Sequence, residues 1–500
     1  MLSQEATSTP TKYDITTTKK TKTDYGILFL AASFLYHTNG SNVYQFGNFL
    51  REFNDAAPLG NLKDSLKVIT AIVQHPTKRV LEISKITCLP LEKIRTIQKW
   101  MQGSNMVKGV MHSHYYPGYL LIQYANTMLK GIDRGGLNYD DINSNAAPNK
   151  IEIHVTDANC NYRCVMCLWH VKGLAKYNHK HKELLGTDDW KKILSQAKDI
   201  GTETVIFSGG GEPLLRKDTG EIIVFAKSIG LKTMVYTNGS QLLELRENNN
   251  QYYQQILKAD WIRISMHATT KNRYSKIVGV SNNINLIERV IGGIKKLKED
   301  RDRLGLTYEL GIGFVIQAMN WDQVEDIVNI AQHTGVDFIN LRVDCIDVTE
   351  KLTCFEENQL TESLRKIRDN YETGCYGNLS MDFDDRLIAQ INEWGLPEVE
   401  QPEICRVHRY RPAINPFGEV GVCDITAEPF FQRDELLLGR VTKEDSLVKI
   451  LEKVKYKNFK TSLCEKCMPG QKAINALWYK VLEDYKLNFK PQDQPYFFQD

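Results

Sequence analysis

The chain has 500 residues, 42% of them apolar and 25% charged, which excludes a wholly disordered polymer and allows several domains with sizeable cores. Its 63 basic and 61 acidic residues leave a net charge of +2, so bulk charge points neither towards nor away from a polyanionic partner. The apolar run at 27–35 has nine residues, well short of the ~20 that span a bilayer, and no secretory signal opens the sequence; a cytoplasmic protein with no membrane partner is expected.

In chain order, residues 1–24 are polar and rich in Thr and Lys, and read as a disordered tail. Residues 25–130 form a first unit. Helical periodicity runs over 62–73, 79–87 and 90–102, the last placing Leu91, Ile94, Ile97 and Met101 on one face. An apolar, strand-like stretch at 106–123 follows, broken by Pro117-Gly118. Three helices and a β-ribbon resemble a winged helix-turn-helix. Residues 61–110 carry nine Lys/Arg against three acids, and Lys93, Arg95 and Lys99 lie on the outer face of the third helix. Such a unit binds nucleic acid, captures a leader peptide, or serves as a packing module. Residues 131–149, rich in Asn, Asp and Gly, read as a linker.

From 150 to 349 strands and helices alternate. Strands are expected at 150–155, 204–207, 232–236, 261–265, 309–316 and 338–343. Helices are expected between them at 188–200, 221–229, 241–257, 284–298 and 321–333. Six βα units imply an α/β fold with a parallel sheet, an open or closed barrel whose function sits at the carboxyl ends of the strands. Residues 350–400 read as a connecting helical segment. Residues 401–500 hold a second cysteine group and an aromatic, polar tail.

Eleven cysteines, an odd number without an export signal, do not suggest a disulfide framework. Seven fall into two spaced groups. Cys160, Cys164 and Cys167 make C-x3-C-x2-C on the loop after the first strand. Three thiolates at this spacing can hold three irons of a [4Fe–4S] cube and leave the fourth open to an exogenous ligand. A zinc knuckle completed by His170 is the competing reading. The second strand runs into Ser208-Gly209-Gly210-Gly211-Glu212-Pro213, where glycines let backbone approach a ligand closely. The third ends Thr237-Asn238-Gly239 and the fourth ends at Ser265.

The cysteine spacing, its place after the first strand and the Gly-Gly-Glu-Pro run resemble the radical S-adenosylmethionine (SAM) superfamily. The resemblance implies a partial (β/α)6 TIM-like barrel with a SAM-binding [4Fe–4S] cluster held by the three cysteines. Reductive cleavage of SAM there yields a 5′-deoxyadenosyl radical that abstracts a substrate hydrogen, with the protein supplying binding and orientation. It further implies cofactor contacts at Gly209, Gly210, Gly211, Glu212, Asn238 and Ser265, adenosine support from 311–316, and an external one-electron donor such as flavodoxin or ferredoxin. Relatives usually carry an aromatic before the third cysteine; here Met166 stands there, still apolar.

Cys405, Gly418 and Cys423 make C-x12-G-x4-C, followed by Cys464 and Cys467 as C-x2-C. A hairpin turning near Gly418 lies between Cys405 and Cys423. This resembles the SPASM extension or its shorter twitch form, and the four cysteines imply one auxiliary [4Fe–4S] cluster; a structural zinc site is the alternative. Cys345, after the sixth strand, reads as a hydrogen-atom donor or as a small buried residue. Cys88, Cys354 and Cys375 read as structural. The expected reaction is oxidation or epimerisation of a small molecule such as a sugar or cyclitol. Modification of a ribosomal peptide held by the winged-helix unit is the alternative within enzymes, and an iron–sulfur DNA-binding regulator the alternative outside them.

Overall fold

The computed structural model describes residues 80–94, 96, 148, 150–157, 159–167, 183–281, 285–344, 351–383, 403–409, 411–428, 434–454, 457–464, 467 and 475. Most of the unit expected to resemble a winged helix lies outside these residues, as does Cys345. Of that unit, helix α1 (Val80–Thr87) forms where the periodicity placed it.

The six expected strands are present: β1 (Lys150–His154), β2 (Thr204–Ser208), β3 (Lys232–Thr237), β4 (Trp261–Ser265), β5 (Glu309–Ile316) and β6 (Phe338–Val343). Each pairs in parallel with the next. The connecting helices are α2 (Thr187–Asp199), α3 (Thr219–Ser228), α4 (Leu242–Asn248), α5 (Asn250–Ile256), α6 (Lys271–Val278), α7 (Leu286–Leu304) and α8 (Val324–Thr334). The single helix expected over 241–257 is two, because the Asn249 side chain accepts from the Tyr252 N–H and starts a new helix.

The βα alternation runs one unit further than the sequence suggests. Helix α9 (Cys354–Glu372) opens with a Thr353/Glu356 capping box and leads to β7 (Ser380–Phe383), parallel to β6. At the other edge the C-terminal region joins the same sheet. After β8 (Ile404–Cys405), β9 (Ala413–Ile414) pairs in parallel with β1, and β10 (Glu419–Gly421) turns back on β9 through Gly418 at φ +82°. Strand β11 (Leu437–Arg440) completes a ten-stranded sheet, and helix α10 (Leu447–Lys453) covers its end. Strand β12 (Phe459–Lys460) pairs with β8 separately.

One face of β1–β6 packs on helices through Ile151, Ile153, Val205, Phe207, Val235, Ile262 and Ile264, all fully buried. The alternate residues face inward, as period-two geometry requires: Glu152 and His154 on β1, Tyr236 on β3, Arg263 and Ser265 on β4, and Arg342 on β6. Strands β1 and β4 are three positions apart, about 14 Å if flat. Yet Arg263 feels the charges of Glu152 and Arg411, so the sheet curls and this face is concave, the interior of a partial TIM-like barrel. Trp261 stacks on Phe338 at 4.4 Å between ring centroids, at the start of both strands. Gly311 makes room for the stack; a Cβ there would lie 2.2 Å from the Phe338 ring.

Candidate active site

The cysteine loop follows β1 and is pinned on two sides. Asn159 bridges to Gly211 and accepts from the Glu212 N–H at 2.9 Å. The N–H groups of Arg163 and Val165 donate to the carbonyls of Val278 and Ile277, at the end of α6. Gly279 permits that approach at φ +64°, for a Cβ would sit 2.4 Å from the Arg163 oxygen. Tyr162 is buried edge-on against Tyr274, and Met166, the apolar residue before the third cysteine, is also buried.

The three thiols feel one another. Burial, then the charges of Glu212 and Cys167, push Cys160 up to about 11; burial, then Cys167 and Cys160, push Cys164 up further. Three neighbouring thiols that oppose each other's ionisation suit a cationic metal assembly, which reverses that preference. Cys160 Sγ accepts from the Tyr162 N–H at 3.4 Å and from Asn238 Nδ2 at 3.9 Å. Among the described residues no three His, Cys, Asp or Glu side chains converge as a cage for a single ion.

Gly209, Gly210 and Gly211 all have positive φ. Added Cβ atoms would lie 2.3 Å from the His154 ring, the Thr156 oxygen and the Asn159 oxygen respectively. The run is therefore glycine because it presses on β1 and on the cysteine loop, a reason beyond the ligand approach expected from sequence. Glu212 is 2% exposed. Its Oε1 accepts from the Leu214 N–H (3.0 Å) and Thr237 Oγ1 (2.6 Å), and its Oε2 from the Asn238 N–H (2.7 Å). Burial pushes its carboxyl up, against three hydrogen bonds that favour the anion. Glu212 thus straps the glycine loop to the Asn238 loop. Asn238 donates to Asn161 Oδ1 at 2.8 Å, and Asn161 donates to Ser240 Oγ at 2.7 Å, so the loop after β3 reaches the cysteine loop. Ser265 ends β4 on the inner face opposite Gly313.

In the C-terminal region Cys405 and Cys423 are buried. Burial, then the Cys464 and Cys467 charges, push Cys405 up to about 12 against the Val407 N–H. Burial, then Asp424 and Cys405, push Cys423 well above the usual thiol range. The β8–β12 pair and the turn ending at Cys464 bring the two sequence groups together.

The sequence reading missed the inner-face charges. Arg411, before β9, donates from Nε to Glu152 Oε2 at 2.7 Å. His154 contacts Glu152 and Glu428, both buried. Burial alone would lower His154, but Glu428 and then Glu152 raise it to about 10. Arg263 lies 3.8 Å over the Tyr236 ring. The signal was present: Lys150-Ile-Glu152-Ile-His154 and Trp261-Ile-Arg263-Ile-Ser265 alternate within strands otherwise expected to be buried on both faces.

Residues 156–331 match the radical SAM superfamily, and residues 405–468 match the SPASM iron–sulfur cluster-binding domain. The core of this chain is a radical SAM domain. Such a domain implies a [4Fe–4S] cluster and SAM, and the SPASM domain implies auxiliary iron–sulfur ligation. The chain is 29% identical over 213 residues to a protein described as "Probable GTP 3',8-cyclase" from Saccharolobus islandicus (strain M.14.25 / Kamchatka #1), covering 43% of this chain and 61% of that protein. It is 28% identical over 226 residues to one so described from Methanococcus maripaludis, covering 42% and 69%. Among solved structures it is similar to Streptococcus suis SuiB bound to S-adenosylmethionine (17% identity, 78% of this chain and 86% of that one, TM-score 0.47). It is also similar to anSMEcpe with bound AdoMet (15%, 68% and 92%, TM-score 0.44). No helix of the described residues is long and apolar enough to cross a membrane.

Proposed function

We propose that this radical SAM enzyme removes hydrogen from an unactivated C–H of a small hydroxylated substrate of the sugar or cyclitol kind and oxidises it. Residues 150–349 form the catalytic core on this reading, and 401–500 carry the auxiliary site. The observation that carries it is the three-thiol loop laid on the glycine run at the carboxyl ends of β1 and β2, with a second cysteine set in the C-terminal region whose strand β9 pairs with β1. The half-buried, mutually opposed thiols and the tight glycine cradle fit the expected cluster.

Cys160, Cys164 and Cys167 are the ligands of the SAM-binding cluster. Cys405, Cys423, Cys464 and Cys467 are those of the auxiliary one. When bound, the first cluster supplies the electron that cleaves SAM, and the adenosyl fragment takes the substrate hydrogen. Gly209, Gly210 and Gly211 offer backbone to the methionine end, with Glu212 holding that loop to Asn238. Asn238 steadies Cys160 through its amide, and hydrogen bonds to ligand sulfur tune reduction potential. Ser265 contributes a hydroxyl from the β4 end, and Met166 and Tyr162 exclude water from beneath the loop.

The test is anaerobic reconstitution with iron and sulfide, then metal counting in C164A and C464A proteins. About eight irons are expected in the wild type and about four in each variant. Zinc at the second site would leave about four in the wild type and refute an auxiliary iron–sulfur cluster there, and with it the acceptor for the electron that oxidation of the substrate radical releases. Sequence-specific DNA binding without SAM cleavage would select the regulator, and turnover of a peptide but not of polyols would move the substrate class. C345A losing epimerisation while keeping dehydrogenation would assign Cys345 as a hydrogen donor.

A further inference from the structure

Among the described residues, one guanidinium on the inner face of the barrel has a buried Nε with no hydrogen-bond acceptor. Arg263 projects from β4 between the aromatic floor of Trp261 and Phe338 and the rim at Ser265, about 7 Å along the strand from that rim. No carboxylate or carbonyl among the described residues accepts from it, and its Nε is buried without a hydrogen-bond partner. The inner-face carboxylate whose charge reaches it, Glu152, is taken by Arg411 and Ser208. Glu428 is held by His154. Arg342 adds a second positive charge nearby, which further disfavours the Arg263 cation. Burial, with the like charges of Arg342 and Arg411 and against those of Tyr236 and Glu152, holds the guanidinium below its usual range, and no carboxylate among the described residues hydrogen-bonds it to offset that cost.

The side chain is nonetheless held in place. Its planar group stacks on Tyr236, and Gly313 clears its path, since a Cβ there would come 3.0 Å from Arg263 Cδ and Nε. A stacked, unpaired guanidinium at the base of an open-ended barrel is a prepared oxyanion receptor, because its donor fork matches a carboxylate or phosphoryl group. We propose that Arg263 anchors an oxyanion group of the substrate, a carboxylate or a phosphoryl, at the floor of the barrel beneath the cysteine loop. This rests on the radical reading of the same site, and fixes one end of the substrate so that its C–H faces the rim.

The experiment uses the reconstituted, oxygen-protected full chain. Inorganic phosphate and acetate are titrated separately, with binding read by calorimetry and by the rise in Tm. Saturable binding of at least one anion is expected, at least ~10-fold weaker in R263M. The tighter of the two assigns a phosphoryl or a carboxylate. Without anion, R263M should melt no lower than the wild type, because an unpartnered charge has been replaced by an apolar stem of similar length. If R263M fails to fold, R263K keeps the charge but loses the fork and should weaken the anion several-fold. Neither anion saturating, or the Arg263 variants binding as the wild type does, would overturn the proposal. So would loss of SAM binding in R263M, read by the cluster's electron paramagnetic resonance, for the guanidinium would then serve the methionine carboxylate. Failure of the radical reading would show separately, as wild-type protein that never yields 5′-deoxyadenosine.

Discussion

Glu212 was expected at the cofactor because it sits in the Gly-Gly-Glu-Pro run; the structure shows both its oxygens engaged by three donors within the chain. A carboxylate can accept from all three, whereas an amide must turn an N–H towards one of them. E212Q should therefore lose about 1–3 kcal/mol, read by denaturant unfolding, and should weaken SAM binding by freeing Asn238. Unchanged stability would show that the strap is not needed. His154 gives a pH signature. Its pKa is raised in the fold from 6.5 to about 10, so its stabilisation is fully present below pH 6.5 and is lost as pH rises towards 10. A wild-type unfolding free energy that declines from pH 6.5 to 10, with a flatter profile in H154Q, is expected; parallel profiles would contradict it. The strap was not visible locally, since it shows only when its three donors are in view; for His154 the alternation in β1 showed Glu152 but not Glu428, which arrives from the C-terminal region.

The six core strands were legible because β2, β5 and most of β6 read as apolar runs and β1 and β4 as strict alternation, between helical patterns, and their observed limits lie within a residue of those expected. Strand β7 was not, since Ser380-Met-Asp-Phe383 is short and half polar and is recruited by the exposed edge of β6. The break at Asn249 lay in plain sight in Asn248-Asn-Asn250, where a capping side chain outweighs helical periodicity. The cysteine loop draws its shape from α6 rather than from its own sequence. G279A keeps every cysteine but strains a left-handed residue and pushes on the Arg163 carbonyl. It should cost about 1 kcal/mol or more and lower the iron bound on reconstitution, counted beside wild type. Full iron loading with an unshifted Tm would refute this dependence.

Across the molecule, the regions that carry the two cysteine groups meet at the β1–β9 pairing and at Arg411 on Glu152, while Cys405 itself lies on the separate β8–β12 pair. That ion pair links residues 259 positions apart, beyond the reach of any local pattern, so the sequence showed two motifs but not their union. R411M leaves Glu152 buried without its partner and should cost about 3–5 kcal/mol in unfolding free energy, with E152Q added to it recovering part of the loss. An additive double variant would show that the pair does not couple the two regions. The central claim is that the loop after β1 leaves one iron corner open to SAM. Its most direct measurement is the yield of 5′-deoxyadenosine from the anaerobically reconstituted chain given dithionite and SAM. The wild type is expected to form it, with formation abolished in C160A, C164A and C167A. No 5′-deoxyadenosine from a fully iron-loaded wild type, or a tetrahedral zinc at those three cysteines, would contradict it.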